Sequence, residues 1–468
     1  MNKFTKIIAT ISDKRCDVEF LRSLAAAGMN VVRVNSAHLD EAGMARIVAN
    51  TREASDSLAV MLDTKGPEVR TTPNDEGAPI TFAEGDRVEL AGDPDSATTR
   101  GRICVTYRDI AADIVPGRHV IIDDGELDFE VESVEGAVAR LRATNTGTLG
   151  SRKTVNIPGV ELRLPAVSER DRRMIAAADR LDVDFVAHSF VRSAEDVLAV
   201  QAVLDNLGSS MKIVSKIENQ QGVDNFDAIL EASYGIMIAR GDLGIEVAAE
   251  RIPGIQTALV RKCISAHKPV IVATQMLHSM IEHPRPTRAE VSDVANAVYQ
   301  QADAVMLSGE TAAGRYPREA VETMARIAHE VEGSLVNTSV VPEMSDRRVT
   351  SFLSRQAVIS EQKLGTKAIL TEAYRGLTAR FIASYRGSVP IIAVCYNRHV
   401  QRWLTLSYGV TAYYLGDDAR RDRPRLVDAV RQLVTDGLVN PLDRVAYLSG
   451  TDSGATSLRI DTLVNLCE

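Results

Sequence analysis

Ile213-Val214-Ser215-Lys216-Ile217-Glu218 and Gly235-Ile236-Met237-Ile238-Ala239 are short apolar, β-branched runs, and the stretch between them has the spacing of a helix. Runs of this length, alternating with 3.6-residue periodicity, are the signature of repeated strand-helix units. Working outward, the pattern recurs at Lys6–Thr10, Asn30–Asn35, Leu58–Asp63, Asp184–Ser189, Pro269–Thr274 and Ala304–Ser308, which makes eight predicted strands. A helical pattern follows each of them except the third. Thr287-Arg288-Ala289-Glu290 reads as a capping box, and Pro317 suits a first helical turn.

After the third strand the periodicity changes. From Arg70 to about Pro165 the chain runs in short alternating stretches such as Arg87-Val88-Glu89-Leu90 and Phe129-Glu130-Val131-Glu132, separated by turn signals such as Pro116-Gly117 and Asp124-Gly125. This is an inserted antiparallel β domain. Subtracting it leaves about 240 residues for eight strand-helix units, close to the ~250 of a (β/α)₈ barrel. The expected division is therefore a barrel over 1–69 and 166–336, an insertion over 70–165, and a C-terminal α/β domain over 337–468. A polar linker from Ser334 to Arg348 precedes the last domain, whose strands are expected at Lys367–Leu370, Val389–Val394, Val410–Leu415 and Arg444–Ser449.

Composition narrows the function class. Of 468 residues 45 % are hydrophobic, which excludes a disordered or collagen-like chain, and the net charge of -9 speaks against nucleic acid or an anionic membrane as the main partner. Five scattered cysteines (Cys16, Cys104, Cys263, Cys395, Cys467) offer no C-x-x-C pair, so neither a disulfide framework nor a cysteine zinc site is indicated. The start carries no leader pattern and no apolar run reaches ~18 residues. A soluble, cytoplasmic protein is expected.

A (β/α)₈ barrel keeps its active site at the C-terminal ends of its strands. Here those ends read Arg33-Val34-Asn35, Asp63-Thr64-Lys65, Lys216-Ile217-Glu218, Arg240-Gly241-Asp242, Thr274 and Ser308-Gly309-Glu310. Residues two apart on a strand share a face, so Arg33 with Asn35, and Lys216 with Glu218, point together. Each alone reads as a rim salt bridge; six strand ends together do not. Glu218 and Asp242 on adjacent strands offer the oxygens a hard cation such as Mg²⁺ takes, and Arg33, Lys65 and Lys216 make the surroundings anion-binding. That combination is what phosphoryl transfer needs. No P-loop or G-x-G-x-x-G motif is present, so a nucleotide is held in another way. Among the histidines only His38, which follows the second strand, is assigned to the site; His188 and His278 read as packing or surface residues, and Met276 and Met280 as core.

From Lys6 to Val321 these segments resemble the pyruvate kinase family. The resemblance rests on Gly28-Met29-Asn30-Val31, Leu62-Asp63-Thr64-Lys65-Gly66-Pro67-Glu68, Lys216-Ile217-Glu218-Asn219, Ala239-Arg240-Gly241-Asp242-Leu243-Gly244, Ala273-Thr274-Gln275-Met276-Leu277 and Pro284-Arg285-Pro286-Thr287-Arg288-Ala289-Glu290. It implies an α/β fold class: a (β/α)₈ TIM barrel, an inserted antiparallel β-barrel acting as a lid, and a C-terminal α/β domain. It further implies transfer of the phosphoryl group of phosphoenolpyruvate to ADP, giving pyruvate and ATP, in a homotetramer. Carried over by motif, Glu218 and Asp242 ligate Mg²⁺ (or Mn²⁺), and Arg33 and Lys216 hold the phosphoryl group. Gly241, Asp242 and Thr274 hold the substrate carboxylate, and Thr274 and Ser308 relay a proton. Asn35, His38, Arg70 and Arg170 lie on the nucleotide side, and Asn35, Asp63 and Thr64 bind K⁺.

Two departures stand out. Ala37 occupies a position where the family has a serine, which removes one oxygen from the K⁺ site, and Ser12-Asp13-Lys14 replaces the usual Gly-Pro. Glu68 nevertheless matches K⁺-requiring relatives. In the C-terminal domain Thr371-Glu372-Ala373-Tyr374-Arg375-Gly376-Leu377-Thr378 puts Ala373 and Tyr374 where phosphate-binding relatives carry small hydroxyl and glycine residues, and Asp452 adds a negative charge near a second loop. Fructose 1,6-bisphosphate is accordingly expected to activate weakly or not at all, with Thr451, Ser453 and Thr456 read as caps of the following segment. Two other classes compete: a Mg²⁺-dependent lyase acting on a pyruvate enolate, and a catalytically dead sensor. Lys216 and Arg33 count against the first, and the intact carboxylates against the second.

Overall fold

The β-branched runs pair side by side, in chain order, into a closed parallel barrel. Its strands are β1 (Lys6–Thr10), β2 (Val31–Asn35), β3 (Ala59–Asp63), β4 (Phe185–His188), β5 (Lys212–Ile217), β6 (Gly235–Ala239), β7 (Val270–Ala273) and β8 (Ala304–Leu307), with β8 returning to β1 through Lys6↔Ala304. This computed structural model describes residues 3–335, 342, 347–416, 423–437, 439–451 and 453–467. All eight expected strands form, most of them a residue or two shorter than expected. The ladders stop just before Glu218, Thr274 and Ser308, so these side chains stand in the barrel mouth rather than in the sheet.

Alternation along the strands sorts the apolar side chains into two layers. Ile8, Val31, Met61, Phe185, Val214, Met237, Ile271 and Met306 fill the barrel interior, where Leu406 of the C-terminal domain packs against them. Ile7, Val32, Val34, Val60, Leu62, Val186, Ile236, Ile238 and Val272 face the helices outside. Full burial of side chains of this size contributes about 1.5–3 kcal/mol each, so the barrel carries most of the core. The Thr287 capping box forms as expected, with the Glu290 N–H donating to Thr287 Oγ1 and Glu290 Oε2 accepting from the Thr287 N–H. Met276 and Met280 are fully buried, as core residues should be.

The insertion forms a seven-stranded sheet whose edge strands, Val69–Arg70 and Arg102–Cys104, meet through a Thr71–Val105 bridge; Thr72 N–H donates to Cys104 O and Thr106 N–H to Arg70 O. The barrel expected of the lid thus closes. One pair departs from the expected antiparallel order: Arg87–Ala91 runs parallel to Arg102–Cys104, because residues 92–101 cross back before pairing. The lid has its own core around Phe82, Phe129, Leu127 and Leu141, with Phe82 and Phe129 edge to face at 5.3 Å.

The C-terminal sheet contains Ala368–Ala373, Ile391–Cys395, Val410–Tyr414 and Arg444–Thr451 in parallel, together with the antiparallel strand Gly454–Thr462. That last strand corrects the expectation of caps. Thr456 lies in the strand, and Thr451 and Ser453 hydrogen-bond each other across the hairpin at 2.7 Å. Its run Thr456-Ser457-Leu458-Arg459 is polar because it forms the sheet edge, so hydropathy concealed it. The expected linker lies mostly outside the described residues, as does Asp452; Arg348 opens the helix Arg348–Leu364 instead of ending the linker.

The C-terminal domain docks on the N-terminal end of the barrel through buried polar contacts. Arg386 and Asp303 pair at 2.7 Å with almost no exposure, Asp303 also accepts from the Tyr408 N–H, and Lys6 Nζ donates to Val410 O at 2.7 Å. No helix of the described residues is long and apolar enough to cross a membrane.

Candidate active site at the barrel mouth

The inward alternation of β2, β3 and β5 brings Arg33, Asp63 and Lys216 to one level of the mouth. Arg33 Nε donates to Asp63 Oδ2 at 2.6 Å, and Lys216 Nζ reaches Asp63 Oδ1 at 3.1 Å and Glu218 Oε1 at 2.8 Å. All four are buried. Burial opposes the charge on Asp63, but Arg33 and Lys216 outweigh it and hold the carboxyl below its ordinary range. Burial likewise disfavours the Lys216 ammonium, yet Asp63 and Glu218 keep its pKa above the usual lysine value. Glu218 behaves oppositely. Burial is the largest cause lifting its carboxyl to about 7; Lys216 opposes this and Asp242 adds to it.

Glu218 Oε2 accepts the Phe190 N–H at 2.7 Å, while the buried Oε1 faces Lys216 without the alignment of a hydrogen bond. A carboxylate oxygen left in that state, with half-buried Asp242 on the neighbouring strand end, fits a divalent cation that also takes oxygens from substrate and water. Among the described residues no group of three acidic, histidine or cysteine side chains gathers as a metal cage. The two carboxylates therefore suit an ion completed by substrate.

The residues expected around K⁺ offer less. Asn35 Oδ1 accepts from the Ala37 N–H, Thr64 Oγ1 lies 3.2 Å from His188 Nδ1, and both Asp63 oxygens are engaged. Ser36, next to Ala37, does not supply the missing oxygen, because its hydroxyl donates to Asp63 O at 2.8 Å in the protein interior. Burial pushes His188 down to about 4, which keeps it a neutral packing residue. His278 is exposed, as a surface residue should be.

At β7 the backbone enters the left-handed region at Thr274 (φ 70) and Gln275 (φ 54), a conformation that costs non-glycine residues ~1–3 kcal/mol and is kept where surroundings enforce it. Thr274 Oγ1 accepts from the Gly241 N–H at 2.8 Å and donates to Ala273 O at 2.6 Å. The Gly241 N–H expected to meet a substrate carboxylate is thus occupied by Thr274. Arg240 fixes this corner from behind, bonding both oxygens of Asp293 and the Thr274 carbonyl.

On the lid side Glu68 sits between Lys65 at 2.6 Å and Arg70 at 2.7 Å; burial opposes its charge, but the two cations hold its carboxyl below the ordinary range. Arg170 donates to Ser36 O at 2.7 Å, and His38 is exposed at the rim. A cavity of about 350 Å³ opens between mouth and lid, with Glu68, Asn156, Arg192, Asp242 and Glu246 on its walls. Phosphate-sized groups and a divalent ion fit such a space.

The sequence of the barrel domain of pyruvate kinase matches residues 2–321, and that of the pyruvate kinase alpha/beta domain matches residues 352–463. The chain belongs to the pyruvate kinase family. It is 41 % identical to the pyruvate kinase of Borreliella burgdorferi, over 99 % of this chain and 98 % of that one. It is 42 % identical to the pyruvate kinase of Geobacillus stearothermophilus, over 97 % of this chain and 79 % of that one. The crystal structure of a pyruvate kinase from Cryptosporidium parvum superposes with a TM-score of 0.93 at 35 % identity, over 98 % of this chain and 96 % of that one. As a pyruvate kinase family member this chain is a phosphotransferase.

Three residues of this site, Ser189, Thr10 and Asp293, carry no role in the sequence reading, and Glu310 stands there only as a strand end without one. Ser189 accepts from Lys216 Nζ at 2.7 Å and donates to Thr64 O, Thr10 Oγ1 accepts from Arg33, Asp293 clamps Arg240, and buried Glu310 accepts the Leu277 and Ser308 N–H groups. Thr10 ends β1 and Ser189 follows β4, the two strands whose ends carry no residue in the sequence reading. The same rule, applied to all eight, finds both.

Proposed function

We propose that this chain moves the phosphoryl group of phosphoenolpyruvate to ADP, giving pyruvate and ATP; the observation that carries this reading is the Arg33–Asp63–Lys216–Glu218 charge chain in the mouth beside Asp242. Asp63 holds the guanidinium and ammonium in place before substrate arrives, so little reorganisation is needed as charge develops on the phosphoryl oxygens. Arg33 and Lys216 bind those oxygens. Glu218 and Asp242 hold Mg²⁺ or Mn²⁺, which when bound supplies positive charge against the same oxygens. Thr274, with the N–H groups of Gly241 and Asp242, orients the carboxylate, and substrate entry exchanges the Gly241–Thr274 bond for contacts to the ligand. A proton reaches the enolate carbon by way of the Thr274 and Ser308 hydroxyls.

Asn35, His38, Arg70 and Arg170 receive the nucleotide on the lid side. K⁺ binds at Asn35, Asp63 and Thr64, weakly for want of a hydroxyl at Ala37, and Glu68 is consistent with a requirement for it. The functional units are residues 1–69 with 166–336, 70–165 and 337–468, a division supported by separate apolar cores in barrel, lid and C-terminal domain. A homotetramer in the cytoplasm completes the reading. The test is ADP-dependent pyruvate formation from phosphoenolpyruvate with Mg²⁺, beside an aldol-cleavage assay. Cleavage of a carbon-carbon bond would replace this reading with the lyase, and pyruvate released from phosphoenolpyruvate without ADP would make water, not ADP, the phosphoryl acceptor.

A further inference from the structure

Glu310 is buried to 2 % exposure, and each of its carboxylate oxygens accepts a backbone N–H, one from Leu277 at 3.1 Å and the other from Ser308 at 2.8 Å. Among the described residues no cation pairs with it. Taking a carboxylate out of water without a counter-charge is unfavourable, and two N–H groups that only needed satisfying could have met neutral acceptors. What distinguishes Glu310 is the pair of segments it joins. The ladder between β7 and β8 pairs Ile271 with Ala304 and Val272 with Val305 and goes no further. Thr274 and Ser308 lie beyond its last rung, so strand pairing does not set the spacing of their hydroxyls. Glu310 spans that gap, holding the Ser308 N–H with one oxygen and, with the other, the loop three residues after Thr274.

The same loop is held from outside the barrel. Thr274 and Gln275 are both left-handed, a conformation that non-glycine residues keep only where their surroundings enforce it. Arg240 donates to Thr274 O at 2.8 Å while its guanidinium grips both oxygens of Asp293 at 2.6 Å. Asp293 lies on the helix Arg288–Tyr299, and Glu290 of that helix accepts the Ser279 N–H at 2.7 Å. The loop is therefore pinned at Thr274, Leu277 and Ser279, and only Glu310 also reaches the segment after β8.

We propose that Glu310 and the Asp293–Arg240 pair are positioning residues for proton delivery, holding the Thr274 and Ser308 hydroxyls in line so that the enolate is protonated before it leaves. This rests on the relay role given above to those two hydroxyls. In the step served, the π pair of the enolate forms the new C–H bond, the enolate oxygen becomes the ketone, and the relay takes a proton from water in place of the one it gave. Phosphoryl transfer is served by Arg33 and Lys216 on β2 and β5, which neither Glu310 nor Asp293 touches. The two halves of the reaction thus have separate supports, and proton transfer depends steeply on how the donor is placed.

The halves can be measured apart. Run backwards, the proton step exchanges the methyl hydrogens of pyruvate with solvent, so NMR of pyruvate in D₂O with Mg²⁺, K⁺ and inorganic phosphate reads it, while ATP formation from phosphoenolpyruvate and ADP reads phosphoryl transfer. Glu310→Gln keeps the side chain's size but offers one acceptor oxygen in place of two. Its exchange rate should fall ~10-fold or more, with a clearly smaller loss of ATP formation and little change in KM. Equal losses of exchange and ATP formation, or normal exchange, overturn the proposal. If Glu310→Gln does not fold, as judged by circular dichroism, Asp293→Asn decides by the same comparison: Asp293 is half-buried on a helix, and its loss frees Arg240. Thr274→Val and Ser308→Ala test the relay itself. Exchange that survives in both of them, or that is absent from the unaltered chain, removes the relay and this proposal with it, whereas exchange lost in those two and normal in the positioning variant removes the positioning role alone.

Discussion

The barrel mouth and the corresponding edge of the C-terminal sheet are built alike, from parallel strands whose C-terminal ends carry polar side chains, yet they are furnished in opposite ways. In the mouth, cations and carboxylates from different strands hold one another, and Glu218 keeps an oxygen without a hydrogen bond. In the C-terminal domain Glu372 stands at the end of Ala368–Ala373 and is enclosed: the hydroxyls of Tyr396, Tyr447 and Tyr374 lie 2.6, 2.9 and 3.3 Å from its oxygens, and Tyr374 stacks on Tyr396. In open α/β sheets such an edge is the usual ligand crevice. Here a negative charge and three phenols already occupy it. The same architecture thus yields a site in which charges await a ligand and one in which the protein has satisfied its own groups.

The sharpest way to break this contrast is at the carboxylates of the mouth. Glu218→Gln and Asp242→Asn should each abolish turnover in a pyruvate-release assay, and the double variant should be scarcely worse than the poorer single one, because both serve one ion. Additive losses would argue against a shared metal. Lys216→Met is next in size: loss of its ammonium should lower kcat by ~10³-fold or more and change KM far less, since the charge acts mainly in the transition state. A variant retaining more than about a tenth of the normal kcat would remove Lys216 from that role.

A smaller effect concerns the monovalent ion. Replacing K⁺ by a bulky organic cation at matched ionic strength should reduce the rate several-fold, and Ala37→Ser should lower the K⁺ concentration needed for half-activation by restoring an oxygen. Equal rates in both salts would show that Lys65 and Arg70 suffice. The smallest effect is expected where the protein has filled its own crevice. Millimolar fructose 1,6-bisphosphate should leave the phosphoenolpyruvate saturation curve unmoved, because Glu372 repels the phosphate and its three phenols are engaged. A several-fold drop in half-saturation would mean that the tyrosines give way.

What could be read from the sequence follows from which interactions are local. β-branched runs such as Gly235–Ala239 and caps such as Thr287–Glu290 are decided within a few residues, and they form where expected. The position of Lys216 and Glu218 followed from strand alternation alone. Ser189, the residue after β4, falls under the same strand-end rule, whereas Gly454–Thr462 stays hidden because an exposed edge strand carries no apolar alternation. Glu372 appeared only as a loop residue; its enclosure depends on Tyr396 and Tyr447, which no local pattern joins to it.

The first and last strands of the lid sheet lie side by side, with Val69 paired to Val155 and Arg70 to Thr154. The chain that leads in and the chain that leads out are therefore one ladder spacing, ~4.8 Å, apart at this pair. To the barrel, this whole domain is topologically equivalent to a hairpin turn, and the entropy of closing it is that of a short loop. Excising residues between Thr71 and Lys153 and joining the ends with a tight turn should leave a barrel that folds and keeps its charge chain, while the space above the mouth opens to water. The domain is a graft that the barrel carries at almost no conformational cost.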